Sequence, residues 1–224
     1  MSSRASTEVT MRLDPERVVR TALRLLNEEG LEGLTLRRIA QELEVQAPAL
    51  YWHFKSKQDL IDEMATTMFR DLVKATGEPD AGQPWDEWMA QSGRSLRQML
   101  LSYRDGARVF SGTYLTDNTL YEALEWALQK LTSAGFSLRD AVRGYNILSS
   151  YTVGFVIEEQ AVYPRKGERN AQYDLNQRAK RIDAKKFPLA LAAGKEAFTD
   201  FDDRFESGLR VIISGMDQSF SRKR

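Results

Sequence analysis

Apolar residues recur at spacings of three and four along most of the chain, and no alternating run is long enough to predict a strand. Val18, Ala22, Leu25 and Leu26 keep helical spacing, with Val19 and Leu23 widening the stripe. Asp14-Pro15-Glu16 opens that helix, with Asp14 as N-cap, proline in the first turn and a glutamate at the positive end of the dipole. Gly30 stands where a C-terminal cap would end it. Thr35 caps a second helix whose apolar face is Leu36, Ile39, Ala40 and Leu43. A three-residue turn, Glu44-Val45-Gln46, leads into a short segment from Ala47 to Phe54. Ser56-Lys57-Gln58-Asp59 has the form of a capping box and opens a longer helix to about Thr76.

The Gly- and Pro-rich stretch 77–84 reads as a boundary. Beyond it the pattern predicts helices at about 85–103, 106–113, 117–134 and 138–160, and a last one at about 195–221. That last helix carries a stripe of Phe198, Phe201, Phe205, Leu209, Ile212, Met216 and Phe220. Residues 163–186 hold eight Lys/Arg against three Asp/Glu and are expected as a solvated loop. Residues 1–12 are expected as a short mobile arm. The fold class is all-α.

Composition narrows the chemistry. Lys plus Arg is 32 and Asp plus Glu is 32 in 224 residues, so any nucleic-acid surface has to be local. There is no cysteine, which removes disulfides, thiolate zinc sites, iron–sulfur clusters and thiol nucleophiles. His53 is the single histidine and lies between two aromatic residues, where phosphate contact or packing suits it better than catalysis. No catalytic residues, metal site or cofactor are expected. No stretch approaches the ~20 apolar residues of a membrane span, and the polar N-terminus lacks the apolar core of a signal peptide. No membrane partner is expected, and the expected address is the cytoplasm.

Residues 35–54 have the helix-turn-helix plan, in which the second helix enters the major groove of double-stranded DNA. Leu36, Ala40, Val45 and Leu50 are apolar where the two helices must meet. Arg37, Gln46 and Ala47 are placed to face base edges, whereas Tyr51, Trp52, His53 and Lys57 suit phosphate and sugar contact.

The run Ala49-Leu50-Tyr51-Trp52-His53-Phe54-Lys55-Ser56-Lys57 resembles the TetR family of bacterial transcriptional repressors. The likeness continues through residues 101–108, 134–138 and 154–160, which are similar to the C-terminal domain of the family's tetracycline-repressor branch. It implies an Ω-shaped helical homodimer with two recognition helices and one effector pocket per subunit. The expected division is a three-helix DNA-binding domain at 13–60 and a larger helical effector-binding and dimerisation domain at 61–224. It adds Thr35, Pro48 and Ala49 to the DNA-facing set.

Departures from the family pattern also carry information. Glu44 stands where the family has glycine, which costs on the order of 1 kcal/mol if φ is positive there. Gln46, Ala47 and Ala49 differ from the resembled branch, whereas Arg37, Pro48, Tyr51, Trp52 and Lys57 match, so an operator of different sequence is expected. In that branch a histidine ligates magnesium and the position of Glu158 joins through water. Here the histidine's place is taken by Phe110, whose ring cannot coordinate Mg²⁺.

Trp88, Leu96, Phe110, Trp126 and Tyr151 supply apolar bulk, and Ser92, Thr113 and Asn146 resemble pocket-lining positions, so the expected effector is a small apolar or aromatic molecule. Glu158 is a pocket-lining or surface carboxylate. The helix at 138–160 and the last helix are expected to form a four-helix bundle with their mates, Gly208 and Gly215 allowing close approach. Two other classes stay open: a DNA-binding regulator without an effector and, disfavoured by the residue inventory, an enzyme.

Overall fold

The structure is a computed structural model and describes residues 13–220, so the N-terminal arm lies outside the described residues. The described residues form eleven α-helices and one short 3₁₀ helix, with no strand. The N-terminal unit is α1 (Pro15–Gly33), α2 (Leu36–Glu42), α3 (Ala47–Tyr51) and α4 (Lys57–Thr76). Its caps are those the sequence predicts: Asp14, Thr35 and Ser56 accept from the backbone N–H of Glu16, Arg38 and Asp59. Gly30 breaks the regular helix at φ 79 and ψ 174, a conformation open to glycine because it lacks a Cβ, and one more turn follows. At the other end of the unit, Gly77 closes α4 with φ 67.

The second unit is α5 (Trp85–Leu101), α6 (Gly106–Phe110), α7 (Thr119–Ser133), α8 (Leu138–Val162), α9 (Leu175–Arg181), α10 (Pro188–Phe198) and α11 (Phe201–Ser219). Three expectations from the sequence differ from the structure. The final helix is two helices, because Asp200 adopts φ 50 between them. Phe198 therefore leaves the stripe and packs edge-on against Tyr173 at 5.4 Å. The segment 163–186 is not simply a solvated loop, since it holds the 3₁₀ turn Ala171–Tyr173 and α9. Arg169 ties it down by donating to the carbonyls of Tyr173 and Phe198. Cations that spend their charge on carbonyls leave no periodic sign in a sequence. α6 also ends at Phe110, short of the expected 113, with Gly112 at φ 73 beyond it.

Two apolar cores hold the chain. The first joins α1–α4 and runs on into Met99, Leu100, Ala107, Val109 and Val156 of α5, α6 and α8. The second is built from Met89, Leu131, Phe136, Ala141, Leu148, Phe205, Leu209 and Met216. The inward face of α11 is thus filled within its own chain, while Val211 on α11 and Ile147 on α8 remain exposed. Gly208 does allow a close approach, but to the Tyr151 hydroxyl of the same chain, whereas Gly215 has open space beside it.

Candidate functional site

The helix-turn-helix is set by short-range bonds. Glu44 N–H donates to the Gln41 carbonyl and Val45 N–H to that of Ala40, which turns the chain with Glu44 at φ 55. Leu36, Ala40 and Leu50 are buried between the helices, with Val45 packed beside them. Charge on this unit is mostly spent internally. Arg24 pairs with Glu28 and Glu42, and Arg38 pairs with Glu29 and Glu42. Hydrogen bonds from Arg38 and Arg24 hold the Glu42 carboxyl below its ordinary pKa. Arg37 is exposed and makes no ion pair among the described residues, so its guanidinium is available to a partner.

Gln46 and Pro48 are exposed, whereas Ala47 and Ala49 are half-buried, Ala47 against the core. Tyr51 is 53% and Trp52 88% exposed, and His53 is open beside them. Such exposed aromatic bulk marks a contact surface. Lys57, at the start of α4, donates to the Leu31 carbonyl at 3.2 Å, so its ammonium sits where α1 ends. Thr35 uses its hydroxyl as the α2 cap.

A cavity of about 760 Å³ opens between the C-terminal half of α4 and the helices of the second unit. Of the residues expected from sequence, Trp88, Ser92, Leu96, Phe110, Thr113, Trp126 and Asn146 line it. Tyr151 and Glu158 do not. The Tyr151 hydroxyl donates to the Phe205 carbonyl at 3.1 Å and its ring stacks on Phe205, so it belongs to the α8–α11 core. Glu158 is exposed on α8 and lies outside the cavity.

Sequence reasoning missed the α4 wall (Phe69, Leu72, Val73), the α7 wall (Leu120, Leu124), and Ser95 and Ser149. One signal was available: Ser92/Ser95 and Asn146/Ser149 are neutral polar pairs three residues apart, which places each pair on one helix face. Phe110 sits 6.1 Å from Phe69, an apolar wall at the place where the resemblance would need a metal ligand. The donor set therefore does not fit magnesium: Phe110 offers no lone pair and Glu158 is elsewhere. Among the described residues no group of three or more His, Cys, Asp or Glu could hold a metal ion, and no helix is long and apolar enough to cross a membrane.

The DNA-reading unit and the cavity share α4, whose N-terminus follows the recognition helix and whose C-terminal half forms the wall. A second link joins the end of α1 to the turn before α6. Arg104 N–H donates to Asn27 Oδ1 at 2.8 Å, and Leu31 N–H donates to Asp105 Oδ2 at 2.9 Å. Gln160 of α8 holds that turn from behind, accepting from Ala107 N–H and donating to the carbonyls of Leu100 and Tyr103.

Comparison with known proteins agrees with this arrangement. Residues 18–64 match the family described as bacterial regulatory proteins, tetR family, and residues 78–220 match the tetracyclin repressor-like C-terminal domain. The tetracycline repressor protein class A from transposon 1721 of Escherichia coli is 41% identical over 207 residues, covering 92% of this chain and 91% of its own. A possible TetR family transcriptional regulator from Streptomyces coelicolor A3(2) superposes with a TM-score of 0.80 at 38% identity, over 91% of this chain and 98% of that one. The ActR protein of the same species, in complex with actinorhodin, gives 0.76 at 30% identity, over 91% and 96%. The chain belongs to the tetR family of bacterial regulatory proteins, as a helix-turn-helix transcriptional regulator whose C-terminal domain is of the tetracycline-repressor type.

Proposed function

We propose that this chain is a homodimeric repressor, acting in the cytoplasm and without enzymatic activity, that leaves its operator when a small apolar or aromatic molecule enters the cavity. Residues 13–60 read the DNA, and residues 61–224 hold the effector and the second subunit. The observation that carries the reading is α4, a single helix that bears on the DNA unit at one end and lines the cavity with Phe69, Leu72, Val73 and Thr76 at the other. The related ActR structure with actinorhodin supports an effector in this class of domain. A ligand that fits only one placement of α4 changes the separation of the two recognition helices and disfavours docking of both at once. Moving such a switch from 1:99 to 99:1 needs about 5.5 kcal/mol of differential affinity.

Arg37, Gln46 and Ala47 choose the sequence, with Pro48 and Ala49 shaping the surface beside them. Tyr51, Trp52, His53 and Lys57 position the helix on phosphate and sugar, and Thr35 presents the start of α2 to the backbone. Ile147 and Val211 support a dimer face on α8 and α11, because both are exposed on helices whose other sides are filled. Selection of duplexes from a random pool by the purified protein tests the reading. It should yield palindromes with half-sites about one turn, 34–36 Å, apart. A monomer binding unpaired half-sites with equal affinity would contradict it.

A further inference from the structure

Charge is distributed unevenly around the cavity. Among the described residues, Glu78 and Asp80, on the exposed loop after α4, are the only charged ones lining it, and no Lys, Arg or His does. No cation of the neighbouring elements enters that lining. Lys130 donates to the carbonyls of Asp80 and Ala81, and Arg70 is held by Asp117 and Glu63. The Asp80 carboxylate accepts from Gly82 N–H at 2.9 Å, while Glu78 has no ion pair among the described residues. Burial pushes the Tyr145 phenol up, so this lining residue stays a neutral hydroxyl.

Opposite the apolar α4 and α7 walls, polar groups form a row across two packed helices. Ser92 on α5, and Asn146 and Ser149 on α8, make no side-chain hydrogen bond among the described residues although all three line the cavity. Their donors and acceptors are neutral and unspent.

We propose that the cavity selects its ligand by sign of charge: it takes a planar aromatic molecule with its cationic end at Glu78 and Asp80 and its hydroxyl or carbonyl edge on α5 and α8, and it disfavours anions of the same shape. This rests on the effector reading above. An anion entering this cavity gives up water and meets no cation in the lining, while the lining carboxylates repel it, Glu78 more than Asp80, whose loop carries the Lys130 ammonium. A cation keeps part of its water at the mouth and gains Glu78. A neutral ligand of the same shape falls between the two.

The test uses two dyes on one xanthene frame, cationic rhodamine 123 and anionic fluorescein, titrated by fluorescence anisotropy at mildly alkaline pH against the full-length protein. The cation should bind at least about tenfold more tightly. Glu78→Gln with Asp80→Asn, both at exposed positions, should narrow that ratio by about threefold or more. Ser149→Phe, which sets a phenyl ring inside the cavity, should weaken rhodamine binding by about tenfold or more; a melting curve reports whether that variant is folded, and displacement of rhodamine by unlabelled apolar ligands reports the same site in the native chain. Equal or tighter binding of fluorescein, or an unchanged ratio in the carboxylate variant, would overturn the charge selection and leave the effector reading standing. Rhodamine binding that survives both displacement and a folded Ser149→Phe would place the dye elsewhere and overturn it too. Binding of neither dye would overturn the inference together with the cavity's role as a ligand site.

Discussion

Asp105 offers a sharp test of how the two units are joined. It sits before α6 at φ 55, its Oδ2 accepts from Leu31 N–H at 2.9 Å, and its Oδ1 accepts from Arg108 at 3.3 Å. Three substitutions separate these roles. Asp105→Ala removes the acceptor for a partly buried N–H, about 1–2 kcal/mol, and leaves a methyl-bearing residue in the left-handed region, about 1 kcal/mol more. The Arg108 contact is half-exposed and adds only ~0.3 kcal/mol. The sum is about 2–3 kcal/mol. Asp105→Gly loses the same bond but relieves the backbone, so about 1 kcal/mol remains. Asp105→Asn keeps both an oxygen acceptor and a side chain tolerated at positive φ, and should stay within about 0.5 kcal/mol. For a chain of this length 1 kcal/mol moves the melting temperature by roughly 2–4 °C, so the alanine variant should melt about 5–10 °C low. Melts must be compared at one protein concentration, because dimerisation makes the midpoint concentration-dependent. Equal losses for Ala and Gly would refute the backbone argument, and an Asn variant as poor as Ala would refute the hydrogen bond to α1.

Other consequences are simpler to state. Glu44→Gly should stabilise the protein by about 0.5–1 kcal/mol in urea, because it relieves a non-glycine residue at φ 55 on an exposed turn; no gain would show that the turn is unstrained. Arg20 holds the Asp71 carboxyl below the usual carboxylate range through a hydrogen bond joining α1 to α4. The folded pKa is the depressed one, so this contribution is present above about pH 4 and is lost as pH falls through the folded value. Asp71→Asn should therefore shrink the difference between urea midpoints at about pH 6 and about pH 3. Tetracycline fluorescence with and without chelator should show no magnesium-dependent sub-micromolar binding, because Phe110 occupies the ligand position; such binding would contradict the assignment of the cavity wall.

The parts legible in the sequence are those governed by local rules. Asp14, Thr35 and Ser56 cap the helices they were expected to cap because an N-cap needs only a side-chain oxygen and the next turn of backbone. The split of the last helix was hidden because the phenylalanine spacing runs unbroken through Asp200, and aspartate tolerates positive φ without any change in the apolar pattern. Most of the expected cavity residues were visible as bulky or neutral polar positions, but Tyr151 was misplaced because an aromatic on α8 can equally face α11. The α4 wall was missed since Phe69 and Leu72 look like ordinary core residues until α5 and α7 are set at a distance from them. The link between Asp105 and Leu31 spans 74 residues and consists of one backbone N–H, which no side-chain pattern announces.

The measurement that bears most directly on the account is operator affinity with the cavity filled. A duplex selected by the protein is titrated by fluorescence anisotropy at fixed salt, with and without a saturating compound shown by rhodamine displacement to occupy the cavity. Operator binding should be at least about tenfold weaker with the compound bound, and compound binding reciprocally weaker when operator is present. Unchanged operator affinity with the cavity saturated, across a panel of such compounds, would contradict it.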